Sequence, residues 1–577
     1  MFSLRAALIG LAPLALCACA SLDGAPSADL ASDSAASASP YGLFLAGQAA
    51  ANYGQSGEAA GLFARAADAG GGPSNGFLAG QAFTSALLAG DVGRAAVAAP
   101  RGPDTDKGLV ELGALVQGVE ALSEGKGSAA RSDLTRAEGS AATQAGAALL
   151  MPFAAAQAGD VEASIDQPII AGSPIAQFFA RLDQGKLFER AHRYEEAETA
   201  YRSLIAKGDP GSLATLDLGA MLERRGRGAD AVTIYDEAIA RTKDDAAVLA
   251  ARTRAANHKA APPAPSLRQS AAEALIAPAS LMVARKEDDV ALAYLRLALR
   301  LDPTRDEAWV LLGDVLAAQN DPAGARAAYL KPAPTSPQFA DARAKLAWSY
   351  QNSGDKAQAL AVARQATAAE PNNEDAAITL ADLLRADEHY DESAAVLDGL
   401  IAGGADHPDW RLLYMRAVDN QETGRWDVAE SDLQRALKLR PDEPELLNFL
   451  GYSWIDRGEK LPQALAMVQK AVNLDPNSGA MIDSLGWGYY RLGDYQAAVD
   501  KLETAASLEA ADPDVNDHLG DAYWRVGRRL EARFQWSRVL TLDPSLKLRL
   551  EVETKLKSGL GGPDAPAVVA DQLVSQP

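Results

Sequence analysis

The sequence predicts an all-α solenoid of about fourteen stacked helix–turn–helix units. Three observations predict it. Alanine leads the apolar residues and aromatics are only 6% of the chain; alanine has the best helix propensity, whereas a sheet calls for Val, Ile, Thr and Tyr. Small residues, aromatics and prolines recur together at a period close to 34 residues. The repeats also run through nearly all of a 577-residue chain, so each unit can bury its apolar stripe against its neighbours rather than in one central core.

The period is clearest in the last third. Leu450-Gly451, Leu485-Gly486 and Leu519-Gly520 follow one another at 35 and 34 residues. Each is followed by an aromatic (Trp454, Tyr489, Tyr523), a second glycine (Gly458, Gly493, Gly527) and a small alanine (Ala464, Ala498, Ala532), and units close on Leu474-Asp475-Pro476 and Leu542-Asp543-Pro544. Each position has a physical reason. The small residue at the eighth position lets the first helix (A) approach the second (B). The aromatic at the eleventh fills the space between them. Glycine at the fifteenth makes the turn, where positive φ is cheap. Alanine at the twentieth is a contact that a larger side chain would overpack, and the closing proline ends helix B. These positions, agreeing in phase, resemble the tetratricopeptide repeat. The resemblance implies a right-handed superhelix whose concave groove is lined by the A helices.

Along the chain, residues 1–18 read as a lipoprotein signal peptide. Arg5 supplies the positive charge, and the apolar run Ala6–Leu16 is shorter than the roughly 20 residues of a membrane span. Leu16-Cys17-Ala18-Cys19 resembles a bacterial lipobox and makes Cys19 the expected lipidation site, with residues 19–40 as a flexible tether. Ala20, not Asp, follows Cys19. By resemblance to lipoproteins of two-membrane bacteria, this implies an outer-membrane lipoprotein facing the periplasm, held to the membrane by its lipid alone. Cys17 and Cys19 are the only cysteines, so no disulfide framework or cysteine metal site is expected downstream.

Residues 41–257 hold a degenerate array with eighth positions at Gly47, Phe83, Gly118, Pro152, Gly185 and Gly219. Its period is clear; its register before about residue 175 is not, and Pro152 fits a helix poorly. Residues 258–271 include Ala261-Pro262-Pro263-Ala264-Pro265 and are expected to be a proline-rich hinge between two arms. Residues 272–546 form the secure array, with Ala279, Gly313, Ala347, Ala381 and Ala417 ahead of the three glycines already named; Pro278 departs by falling inside an expected A helix. Residues 547–577 begin as a capping helix and end in a disordered tail.

A formal charge of −22, from 77 acidic against 55 basic residues, excludes the basic footprint of a nucleic-acid binder. Gly125-Lys126-Gly127 lacks the remaining elements of a phosphate loop, and Gly451-Tyr452-Ser453-Trp454-Ile455 lacks the second glycine of a nucleophile elbow. His192, His258, His389, His407 and His518 include no pair at three or four residues, so none forms a helical metal pair; His518 is expected at a surface or an interface. No catalytic residue, metal or cofactor is expected, and the chain reads as a non-enzyme.

In tetratricopeptide arrays the groove is lined by A-helix positions two, five, nine and twelve, with thirteen nearby. That resemblance points to Trp348, Tyr414, Asn448, Tyr452, Asp483, Trp487, Tyr490, Arg491, Asp517, Asp521, Trp524 and Arg525 as the protein-binding groove. Aromatic and arginine side chains are the usual anchors of interfaces. Asp483, Asp517 and Asp521 are expected to repel a carboxylate, so that the groove prefers a neutral, apolar or basic segment.

The run Leu447-Asn448-Phe449-Leu450-Gly451-Tyr452-Ser453, then Asp483-Ser484-Leu485-Gly486-Trp487, Tyr490-Arg491-Leu492-Gly493 and His518-Leu519-Gly520-Asp521, resembles a group of bacterial outer-membrane tetratricopeptide lipoproteins. Some of that group are adaptors that bind a periplasmic carboxyl-terminal processing protease and bring cell-wall hydrolases to it. The resemblance, strong over residues 272–546, implies a scaffold with such partners. The alternative is an assembly or stability factor for a secretion, pilus or polysaccharide-export machine.

Overall fold

The computed structural model describes residues 39–561, apart from 53–54, 70–75, 102–104, 140, 167–169, 171–173, 243–244 and 404–408. Cys19, the signal segment and the end of the chain from residue 562 lie outside the described residues. The described chain is 79% helix in 30 α-helices and contains no strand.

It divides into two compact units at Ser349/Tyr350. The first contains α1 (Pro40–Asn52), α2 (Ser56–Ala69), α3 (Gly76–Ala89), α4 (Val92–Ala98), α5 (Lys107–Ser123), α6 (Gly127–Arg136), α7 (Ala141–Gln157), α8 (Val161–Ile165), α9 (Pro174–Arg190) and α10 (Tyr194–Lys207). It continues with α11 (Leu213–Arg224), α12 (Gly228–Arg241), α13 (Ala246–Ala256), α14 (Leu267–Ala284), α15 (Asp288–Leu301), α16 (Asp306–Ala318), α17 (Pro322–Tyr329) and α18 (Phe339–Asn352), inside which the division falls. The second contains α19 (Lys356–Ala369), α20 (Glu374–Ala386), α21 (Tyr390–Gly403), α22 (Trp410–Glu422), α23 (Trp426–Leu439) and α24 (Pro444–Arg457). It ends with α25 (Leu461–Leu474), α26 (Gly479–Arg491), α27 (Tyr495–Leu508), α28 (Pro513–Arg525), α29 (Arg529–Val539) and α30 (Leu546–Ser558).

Within each unit consecutive helices pack as A–B hairpins. The eighth residue sets their approach. A Cβ at Gly185 would stand 2.5 Å from the ring of Tyr201, and one at Gly520 would stand 2.6 Å from the ring of Trp536; Gly219 and Gly313 press as closely on Tyr235 and Tyr329. Gly47 and Gly118 bear on Phe63 and Leu134 in the same way, at 2.8 Å, so the register that was indistinct before residue 175 is the one followed downstream. The fifteenth residue takes positive φ whether or not it is glycine: Gly493 and Gly527 sit at 86°, and His192, Lys286, Asn320 and Glu388 at 58–62°. The fold imposes the turn, and glycine only makes it cheaper.

Pro152 and Pro278 lie inside α7 and α14, which run through them. Each ring removes one N–H donor, but both prolines are buried, and α14 is packed along most of its length.

The proline-rich break is shorter than expected. Ser266 caps α14 in a reciprocal pair with Gln269, so residues 267–271 are helical. Arg224 Nη1 donates to the Pro262 carbonyl at 2.9 Å. Beyond the break, α14 packs on α7 and α9, and α15 packs on α5. Tyr294 Oη accepts from the Gly146 amide (3.2 Å), Arg300 pairs with Glu120 (2.6 Å) and Lys186 with Glu273 (2.8 Å). Helices α5, α7 and α9 are A helices, so the hairpin after the break lies against the A-helix side of the first repeats. The two sides of the 258–271 segment therefore belong to one compact unit, where the sequence suggested separate arms.

Candidate functional site

In the second unit, the A helices α22, α24, α26 and α28 carry all the expected groove residues except Trp348. Trp348 is on α18 in the first unit and is 38% exposed. Tyr414 on α22 meets Phe449 on α24 edge-on, with ring centroids 5.6 Å apart. On α26, Trp487 stacks with Tyr490 at 4.6 Å and 8° and with His518 from α28 at 4.2 Å and 15°. His518 Nδ1 lies 2.9 Å from the Asp483 carboxylate. Burial alone would lower the His518 pKa; Asp483, hydrogen-bonded to it, and then Asp517 and Asp521 overcome burial and push it up to about 9. At neutral pH the ring against Trp487 is an imidazolium, a favourable cation–π arrangement.

Lys555 of α30 reaches the next two carboxylates. Its Nζ donates to Asp517 at 2.6 and 2.8 Å and to Asp521 at 2.9 Å. Trp536 Nε1 also donates to Asp521 at 2.9 Å. Burial, reinforced by Asp517 and opposed by Lys555, pushes the Asp521 carboxyl up to about 6. Lys555 itself is held above the usual lysine range: burial lowers it, but Asp521 and Asp517 more than compensate. Trp524 packs on Trp536 (5.3 Å) with Gly559 closed against its ring. Arg525 donates to Tyr490 Oη (3.2 Å) and to the Gly561 carbonyl (2.9 Å), and Arg491 to the Asp456 carbonyl (2.6 Å).

These contacts change the electrostatic expectation. Asp483, Asp517 and Asp521 are buried and each is matched by a cation, so they do not form an open acidic wall that repels carboxylates. Of the expected groove residues, the half-buried ones on these helices are Tyr414, Asn448, Tyr452, Trp487, Tyr490, Arg491, Trp524 and Arg525. Two buried polar atoms among them have no hydrogen-bond partner: Asn448 Oδ1 on α24 and Trp487 Nε1 on α26, an acceptor and a donor on A helices that pack side by side. Among the described residues no cluster of three His, Asp or Glu side chains is placed to hold a metal, and no helix is long and apolar enough to cross a membrane.

Models of the tetratricopeptide repeat match residues 182–246, 287–338, 414–479 and 484–546, and a second such model matches 351–416, together more than half of the chain. The chain belongs to the tetratricopeptide-repeat family. A TPR repeat-containing protein of Pseudomonas aeruginosa is 34% identical over 113 residues, 20% of this chain and 19% of that protein, so the chain spans about a fifth of the curated relative it matches. Among solved structures, a tetratricopeptide repeat protein from Parabacteroides merdae aligns with 44% of this chain and 97% of its own at 13% identity and a TM-score of 0.38. The APC/C hetero-tetramer Cut9–Hcn1 aligns over 92% of this chain and 98% of its own at 17% identity and a TM-score of 0.36.

Sequence reasoning on this tetratricopeptide-repeat protein missed Lys555 and the central place of His518. Lys555 was visible only as one of several lysines on a polar capping helix. Its signal was the pair Asp517 and Asp521, four residues apart on the last A helix, which require a cation once a further helix covers them.

Proposed function

We propose that this tetratricopeptide-repeat protein is a non-enzymatic scaffold that holds an extended segment of another protein against α22, α24, α26 and α28. The observation that carries this reading is the row of half-buried aromatic side chains on these A helices, Tyr414, Tyr452, Trp487 and Tyr490. The Trp487–Tyr490 stack offers rigid apolar area, and Arg491 a charge, as interface anchors do.

The finer reading rests on the lipobox around Cys19 and on the resemblance in residues 447–528. It is an outer-membrane lipoprotein facing the periplasm that recruits a carboxyl-terminal processing protease and its cell-wall hydrolase clients. An assembly or stability factor for an export machine is the second reading, favoured by the same lipobox. Affinity capture from cross-linked envelopes separates them. The adaptor reading expects a serine protease together with cell-wall hydrolases, both diminished by Trp487→Ala with Asn448→Ala. Recovery of a secretion or export machine alone would sink it. Capture unaffected by those substitutions would remove the groove assignment.

A further inference from the structure

The last two helices among the described residues run against the charge of the whole protein. Between Arg525 and Lys557 nine basic residues stand against four acidic ones, in a chain of net charge −22. Elsewhere arginines are commonly paired with carboxylates, as Arg224, Arg254, Arg385 and Arg416 are. On α29 and α30, by contrast, Arg529, Arg533, Arg538, Lys547, Arg549 and Lys557 have no carboxylate partner among the described residues.

The same helices expose large apolar side chains. Leu530 and Phe534 on α29, and Leu546 and Leu550 on α30, are 51–82% exposed. Both pairs have i, i+4 spacing and so form ridges along their helices. They point away from the packed faces, which are Ala532, Trp536 and Val539 on α29 and Leu548 and Val552 on α30. The terminal helix of a solenoid normally presents a polar outer face for solubility. Here α29 and α30 present leucine and phenylalanine set among cations that have no carboxylate partner, although Arg533 and Arg538 donate to the Leu556 and Ala510 carbonyls; this is the composition of helices that lie in a membrane interface.

We propose that α29 and α30 form a second docking surface, whose occupant is a bilayer carrying anionic headgroups. Leu530, Phe534, Leu546 and Leu550 enter the headgroup boundary, and the arginines and lysines that have no carboxylate partner contact lipid phosphates. Charge sign and face shape both favour this occupant. The apolar ridges are on outward faces rather than inside a slot that could enclose a peptide. The acidity of the rest of the chain does not prevent the approach, because at physiological salt charges beyond about 8 Å are largely screened. The surface borders the groove at α28, where Lys555 meets Asp517 and Asp521 and where Arg529 and Arg533 lie over the Trp524 ring; the lipobox reading gives it access to a bilayer but is not what defines it.

The test uses the full chain with Leu530→Cys bearing an environment-sensitive NBD dye, the unsubstituted chain giving the labelling background. Vesicles are phosphatidylethanolamine–phosphatidylglycerol in one arm and phosphatidylcholine in the other. Docking predicts that NBD emission brightens and shifts to the blue on the anionic vesicles alone. Lys547→Gln with Arg549→Gln, two side chains without structural hydrogen bonds, lowers the docked-to-free ratio about 25-fold, about fivefold per cation at an anionic surface. A chain that stays in solution with neutral vesicles but sediments with anionic ones, through these two residues, supports the proposal and removes the lipid anchor. A dye that stays in water on both vesicles overturns the proposal even if the chain sediments. Shielding that appears only on adding envelope proteins also overturns it, and puts a protein in place of the bilayer.

Discussion

Lys555→Met withdraws the cation that touches both Asp517 and Asp521, two carboxylates that are 5–6% exposed. Breaking a buried pair by deleting one partner costs about 3–5 kcal/mol. The protein can limit that cost by protonating one aspartate. Asp521 already lies at about 6 with Lys555 present, against an ordinary value of 3.8, and loses its main acidifying neighbour in the variant. Protonating one such group costs about 1.4 kcal/mol for every pH unit above 3.8, hence about 5 kcal/mol at pH 7.5 but only about 1.6 kcal/mol at pH 5. The sign follows from linkage. A carboxyl whose folded pKa is raised binds extra protons in the folded state, so the variant regains stability as pH falls through the raised pKa towards 3.8. The deficit should therefore be about 3–5 kcal/mol at pH 7.5 and under about 2 kcal/mol at pH 5. Terminal units of a repeat array open on their own, so the readout is hydrogen exchange of the α28–α30 amides in the full chain, corrected for chemical exchange at each pH. A deficit that is the same at both pH values, or below about 1 kcal/mol at pH 7.5, would refute the argument. Lys555→Met with Asp521→Asn should recover most of the loss.

Gly219→Val forces a side chain into the ring of Tyr235 and should cost the first unit about 1–3 kcal/mol, whereas Gly399→Ala, with open space at its Cβ on α21, should stabilise by up to about 1 kcal/mol in urea denaturation. His518 is raised from 6.5 to about 9, so its contribution is complete below pH 6.5 and is lost as pH rises through 9; the loss should approach about 3 kcal/mol and be absent in His518→Gln. Asp183 is buried, its carboxyl oxygens lack hydrogen-bond partners, and burial pushes it up to about 7 despite Lys186. The penalty therefore grows from about pH 3.8, where the unfolded chain ionises, and is complete above about pH 7, and Asp183→Asn should raise that unit's urea midpoint at pH 8 by about 1–3 kcal/mol equivalent and leave it unchanged near pH 4. An unchanged midpoint at pH 8 would show that the Lys186 cluster compensates the charge in full.

Much of the fold was legible because a repeat protein makes mainly local contacts. The distance from an eighth residue to the side chain it faces is short in sequence, so Gly185 with Tyr201 and Gly520 with Trp536 could be anticipated from spacing alone, and with them the helix boundaries and turns. Where the period held but the residues were poor, as at Phe83 and Pro152, packing kept the frame. Phe83 is fully buried, and the residue sixteen further on is the small Ala99.

The sequence determined, by its periodicity, that the chain is a tetratricopeptide-repeat solenoid and which helix faces carry aromatic side chains, because period and phase are properties of a single helix pair. Only the tertiary structure decided what those faces meet. It laid α14 and α15 against the A helices α5, α7 and α9 across the proline break. It also brought Lys555 onto Asp517 and Asp521, and His518 under Trp487. Those contacts join residues 31 or more positions apart, through the stacking of one unit on the next or the return of a helix onto earlier ones. A buried charge is tolerable only where such stacking delivers its partner, and no pattern within one repeat specifies that.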